Sequence, residues 1–107
     1  ENIKITSVID RFLEHGRLYI FKAGGAQKIY IGSADWMTRN LSHRIEVITP
    51  IYDEDHKKTL MDLVNIQLRD NVKARIIDKH QSNTYVVNDN PKIQSQLATY
   101  DYFKSKQ

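Results

Sequence analysis

The sequence predicts an α/β fold, α+β in its mixture of elements, with a mixed sheet covered by helices. Three observations predict it. β-prone runs with period-2 alternation fill the first half, two amphipathic stretches of helical period fill the second, and from Arg17 onward the order reads β-β-β-α-β-α. With 107 residues, 40% hydrophobic and 27% charged, the chain suits one domain, 1–107, with one core, and neither wholesale disorder nor a fibrous design.

Residues 2–6 alternate like a strand, with Ile3 and Ile5 on one face, and Val8, Ile9, Phe12 and Leu13 then follow the spacing of a short helical or irregular segment. Arg17–Lys22 and Lys28–Ile31 are compact β-prone runs. Between them Gly24 and Gly25 accept positive φ without steric cost, which predicts a hairpin with a loop of a few residues. Residues 35–41 read as a turn or a single helical turn. Arg44–Ile51 resumes a strand, with Ile45, Val47 and Thr49 on one face and Pro50 marking its end or an edge.

Asp53–Arg69 is the clearest helix. Asp53 caps it, Glu54 and Asp55 complement its positive end, and Leu60, Leu63 and Val64 form a stripe widened by Met61, Ile66 and Leu68. Asn71 is expected as a left-handed stop. Val72–Asp78 alternates as another strand and "KHQSNTY" reads as a loop. In "NDNPK", Asn90 is expected to cap a last helix with Pro91 at its first position and Ile93, Leu97, Tyr100 and Phe103 as its core stripe.

The chain has no cysteine, so neither a disulfide framework nor a thiolate zinc site holds the fold, which fits a reducing compartment; a cytoplasmic location is expected, with a peripheral place at an inner membrane as the variant. Leu18–Phe21, the longest apolar run, is far too short to cross a bilayer, and no secretory signal is expected. The net charge of +3 favours a polyanionic partner over a cationic one. Because Glu1 opens the chain and alternation begins at once, a longer parent protein is expected.

The residues suited to chemistry begin with His15, Gly16 and Arg17, followed after the hairpin by "IGSADWMTRN". An imidazole transfers a proton or accepts a phosphoryl group, a guanidinium forks onto two phosphate oxygens, and Ser33 with glycine-exposed N–H groups adds donors. A bare His-x-Arg is more often a strand-end cap beside a solvated charge. The Gly-Ser pair at the end of the next strand weighs toward a phosphate grip. Arg39 and Asn40, beside that pair, suit a phosphate contact and a structural cap or ion pair equally.

The segments "RFLEHGRLYIF", "KIYIGSADWMTRNLSHRIEV", "VKARIIDKHQSNTYV" and "QSQLATYDYFKS" closely resemble the C-terminal domain of bacterial polyphosphate kinase across essentially the whole chain. The resemblance implies one half of a phospholipase D-like fold. It also implies reversible transfer of the ATP γ-phosphate to inorganic polyphosphate through a phosphohistidine on the preceding domain, with Mg²⁺ accompanying ATP and held by that upstream domain. His15 matches the second histidine, which faces the phosphorylated one and contacts nucleotide phosphates, and Arg44 resembles a further phosphate contact. The superfamily's His-x-Lys and Gly-Ser-x-Asn pattern is incomplete: Arg17 stands for the lysine, Lys22 for the acidic residue five positions on, and Asp35 for the asparagine. These departures count against lipid hydrolysis.

The expected phosphate and ATP contacts are thus His15, Arg17, Ser33, Arg44, Arg39 and Asn40, with His15 as the catalytic candidate and no metal ligand in this chain. Expected partners are ATP and ADP, inorganic polyphosphate, the upstream domains of the same chain and, at full length, further copies in a homo-oligomer. The isolated domain is expected to be inactive. The alternative is a stand-alone, non-catalytic module that binds polyphosphate or RNA. His43, His56 and His80 lack metal-ligand spacing and read as surface residues. Trp36 and Met37 read as core. Lys73, Arg75, Lys79 and His80 read as a solvated strand face rather than a tunnel wall. No Walker or dinucleotide glycine loop is present.

Overall fold

The computed structural model describes residues 2–32 and 47–107. Its elements are β1 (Ile5–Val8), β2 (Arg17–Ala23), β3 (Ala26–Gly32), β4 (Ile48–Ile51), α1 (Glu54–Leu68), β5 (Ala74–Ile77) and α2 (Ser95–Ser105). The fold is α+β. The chain divides into two compact units, Glu14–Leu60 and the paired segments Glu1–Leu13 and Met61–Gln107.

In the unit Glu14–Leu60, β2 and β3 form the expected hairpin. Ala23 pairs with Ala26, so the turn holds only Gly24 and Gly25, with φ of +58° and +83°. Two central residues with positive φ make a type I′ turn, whose twist matches that of the flanking strands. The strands run in register from this turn to Arg17 opposite Gly32. β4 adds antiparallel to β3, with Ile48 opposite Gly32 and Pro50 opposite Tyr30. Among the described residues β4 is an edge strand, the position in a sheet where a proline is tolerated. Ile29, in the central strand, is the fully buried apolar side chain among the described residues of this unit. The Phe21 and Tyr30 rings meet edge to face at 6.0 Å.

A side chain at Gly32 would collide with β4, because a Cβ there would lie 3.0 Å from the Val47 carbonyl oxygen and 3.1 Å from Ile48 Cγ1. Glycine is therefore what allows β4 to lie against this end of β3. Asp53 caps α1 as expected, its Oδ1 accepting the His56 N–H at 3.0 Å. That bond, with the charge of His56 beside it, holds the Asp53 carboxyl below the usual carboxylate range despite some desolvation.

In the other unit, β1 and β5 pair antiparallel from Ile5 opposite Ile77 to Val8 opposite Ala74. Residues 84–86 flank β5 on its far side through Ile76 N–H to Thr84 O (2.8 Å) and Val86 N–H to Ala74 O (2.9 Å). Among the described residues every strand pair is antiparallel, where a mixed sheet was expected. A tight turn can join only antiparallel neighbours, and β2 to β3 is such a connection. Residues 9–13 are irregular rather than helical.

Three expectations in this unit are corrected, for one physical reason. Asn71 is not left-handed; it is buried, and it holds the segment before α2. Its N–H donates to Ile93 O and its Oδ1 accepts the Ile93 N–H at 2.8 Å, while its Nδ2 donates to Asn88 Oδ1, Asn90 O and Pro91 O. This grip keeps residues 91–94 out of the helix, so Asn90 and Pro91 do not start it, and α2 begins at Ser95 after an extended Gln94. The Ser95 N–H donates to Asp70 Oδ2 at 2.7 Å, which sets the rotational phase of α2. Ser95 is buried and Ala98, Thr99 and Tyr102 are partly so, whereas Leu97, Tyr100 and Phe103 are 52%, 65% and 44% exposed. Tyr102, not Tyr100, faces inward and donates its hydroxyl to Asp62 Oδ2 at 2.7 Å.

No helix among the described residues is long and apolar enough to cross a membrane.

Candidate functional site

The hairpin positions the first candidate residues. His15 is exposed at the mouth of β2, two residues before the first ladder pair, and Arg17 is partly buried within that pair. The Arg17 Nη1 donates to the His15 carbonyl oxygen at 2.5 Å, so the guanidinium is folded back onto the histidine's own backbone. This charge-assisted bond fixes the local chain from which the imidazole projects. Across the ladder from Arg17 stands Gly32, the first residue of the Gly-Ser pair. Antiparallel pairing thus brings the His15–Arg17 end of β2 beside the point where β3 leads into Ser33.

Ser33, Arg39, Asn40 and Arg44 lie outside the described residues, as do Trp36, Met37 and His43. His56 is exposed and pairs with Asp53, its Nδ1 3.8 Å from Oδ1. The His80 N–H joins Ser82 in satisfying Asp78 within the loop after β5. The Ser82 hydroxyl and N–H lead in holding the Asp78 carboxyl below its usual range. Arg75 lies over the Tyr85 ring at 4.6 Å and donates Nη2 to its hydroxyl at 2.9 Å, so it is packed rather than a free cation of a solvated face.

A second concave feature was not visible in the sequence. Ile9, Asp10, Arg11, Lys73 and Gln94 line a cleft of about 400 Å³ in the unit that holds β1 and β5. Its members are spread over three segments of the chain; the sequence marks Lys73 within a basic cluster and Ile9 within an apolar spacing, and nothing in it joins the five.

These features describe an α+β domain whose hairpin presents a histidine and an arginine at one strand end. A family model described as polyphosphate kinase C-terminal domain 2 matches residues 1–96. Polyphosphate kinase of Escherichia coli strain K12 is 53% identical over 106 residues, which is 98% of this chain and 15% of that protein. The Vibrio cholerae polyphosphate kinase is likewise 53% identical, with the same coverage. The crystal structure of polyphosphate kinase from Porphyromonas gingivalis superposes with a TM-score of 0.93 at 43% identity, over 98% of this chain and 16% of that one. The chain belongs to the polyphosphate kinase C-terminal domain 2 family. It spans about 15% of the length of these sequence relatives.

Proposed function

We propose that this chain supplies the second histidine and part of the phosphate grip of a polyphosphate kinase, an enzyme that moves the γ-phosphate of ATP to inorganic polyphosphate and back. The observation that carries the reading is the hairpin end: His15 exposed, Arg17 braced against it, and Gly32 opposite, in a chain of this family. Phosphoryl transfer requires mainly that charge spread over the equatorial oxygens be held and cancelled, which cations and donors on a rigid strand end achieve. His15 acts there as general acid or base, or as a hydrogen-bond donor to the leaving phosphate. Arg17, Ser33, Arg39, Asn40 and Arg44 complete the grip, and the histidine that carries the phosphoryl group belongs to the preceding domain.

Mg²⁺ accompanies ATP in this reading. Among the described residues no group of three His, Cys, Asp or Glu side chains is placed to hold a metal ion. These residues do not fit a metal site, and no step here runs through one.

The test is His15→Ala in the full-length protein. Loss of one such contact costs about 2.7–4 kcal/mol of transition-state stabilisation, so ATP-dependent polymer synthesis should fall roughly 10²–10³-fold with an unchanged circular dichroism spectrum. Synthesis at the normal rate by this variant overturns the assignment.

A further inference from the structure

We infer that the cleft lined by Ile9, Asp10, Arg11, Lys73 and Gln94 is a binding site for a phosphate-bearing anion, formed wholly by residues of the unit that holds β1 and β5. Its volume of about 400 Å³ falls in the range of small-molecule sites, about 300–1,000 Å³.

The charges in the cleft are arranged for an anion. Both carboxylate oxygens of Asp10 are already engaged: Oδ1 accepts the Arg11 N–H and Oδ2 accepts Gln94 Nε2, each at 2.8 Å. Among the described residues neither the Arg11 guanidinium nor the Lys73 ammonium has a carboxylate partner. Two cationic residues and one carboxylate therefore line one concavity, leaving its lining net positive, and the acid is held by an amide and a backbone donor. The planar guanidinium suits two oxygens of one phosphate, and the ammonium adds a point charge for a neighbouring one.

The walls are also rigid at their base. The Lys73 N–H donates to Asp70 Oδ1 at 2.8 Å, and Ser95, next to Gln94, donates its N–H to Asp70 Oδ2 at 2.7 Å. A site whose backbone is ordered before the ligand arrives loses less entropy on binding. The choice of phosphate over other anions rests on the function proposed above; the cleft and its cations do not.

Hydrogen exchange by mass spectrometry on the full-length protein tests the site, with tripolyphosphate and orthophosphate as separate probes. Tripolyphosphate should slow exchange in peptides covering residues 9–13 and 72–74 several-fold. R11Q/K73Q should abolish that protection, and the charge-preserving R11K/K73R should keep it, which separates lost charge from lost fold. Equal protection by orthophosphate identifies a single-phosphate site, and protection by tripolyphosphate alone identifies a site for a phosphate chain. No protection by either probe, or protection that survives R11Q/K73Q, overturns the inference. His15→Ala serves as the separating control. Protection that persists in an inactive His15→Ala protein leaves both proposals standing, and protection in a fully active one keeps this site while the proposed function fails.

Discussion

Asp70 shows how much one side chain decides. It is 2% exposed, yet its carboxylate accepts the N–H groups of Val72, Lys73 and Ala74 on Oδ1 and that of Ser95 on Oδ2. Burial alone would raise its pKa, but the N–H donors, led by Ser95 and Lys73, outweigh it and hold the carboxyl below its ordinary value. Asp70→Ala leaves those donors without an acceptor. The amides of 72–74 and 95 should then exchange faster, by roughly 30-fold for a loss of about 2 kcal/mol. Because the folded pKa is lowered, this stabilisation is fully present above the unfolded value of about 3.9 and is lost as pH falls through the folded one. Protection of these amides, corrected for intrinsic rates, should hold above about pH 5 and decline on further acidification. Asp70→Asn, with no such proton to gain, should not show that acid-dependent decline. None of this was legible in "RDNVK", since an aspartate after a helix usually faces water; only its long-range partner at Ser95 makes it a buried anchor.

Among the elements, the β2–β3 hairpin and α1 were legible because local chemistry specifies them. Gly24 and Gly25 mark the hairpin, although the loop of a few residues expected there closes to a two-residue turn, and Asp53 followed by Glu54 and Asp55 marks a helix start. Gly25→Val should weaken the hairpin by about 1–2 kcal/mol, the cost of a left-handed non-glycine residue, whereas Gly24→Asn should be tolerated. Exchange of the β2 and β3 amides reads both. Gly32→Ala should loosen β4 specifically, because the new methyl meets the Val47 carbonyl. The start and phase of α2 were not legible. Asn90 and Pro91 form a sound local start signal, and Ile93, Leu97, Tyr100 and Phe103 a sound stripe, but Asp70 and Asn71 hold the preceding backbone and override both. At the candidate site, His15 and Arg17 could be read from their spacing and the following Gly-Ser pair. Arg11 and Gln94 could not, as they meet only through the fold.

At the scale of the whole chain, large apolar side chains remain at the surface: Ile3 is 79% exposed, Leu13 93% and Val87 83%. Scattered exposure of this kind is ordinary, but here it combines with the outward face of α2 and a chain that covers about 15% of its relatives. Residues 1–107 prepared alone should bind an apolar dye such as ANS and self-associate on concentration. The full-length protein should bind less dye per mole of this segment. Equal dye binding by the two would show that these side chains face water in the full protein as well.

The β2–β3 hairpin also acts as a ruler. Seven ladder pairs separate the glycine turn from the Arg17–Gly32 end, a reach of roughly 20 Å at the strand rise. Side chains alternate faces along that reach, so parity matters as much as distance. One residue inserted into β2 alone would turn Arg17 to the opposite face of the sheet or force a bulge that absorbs it. Two residues, one added to each strand beside the turn, would carry the glycine tip outward while leaving the His15 end as it was. The tip is therefore free to vary in length by whole pairs, and the His15 end is not.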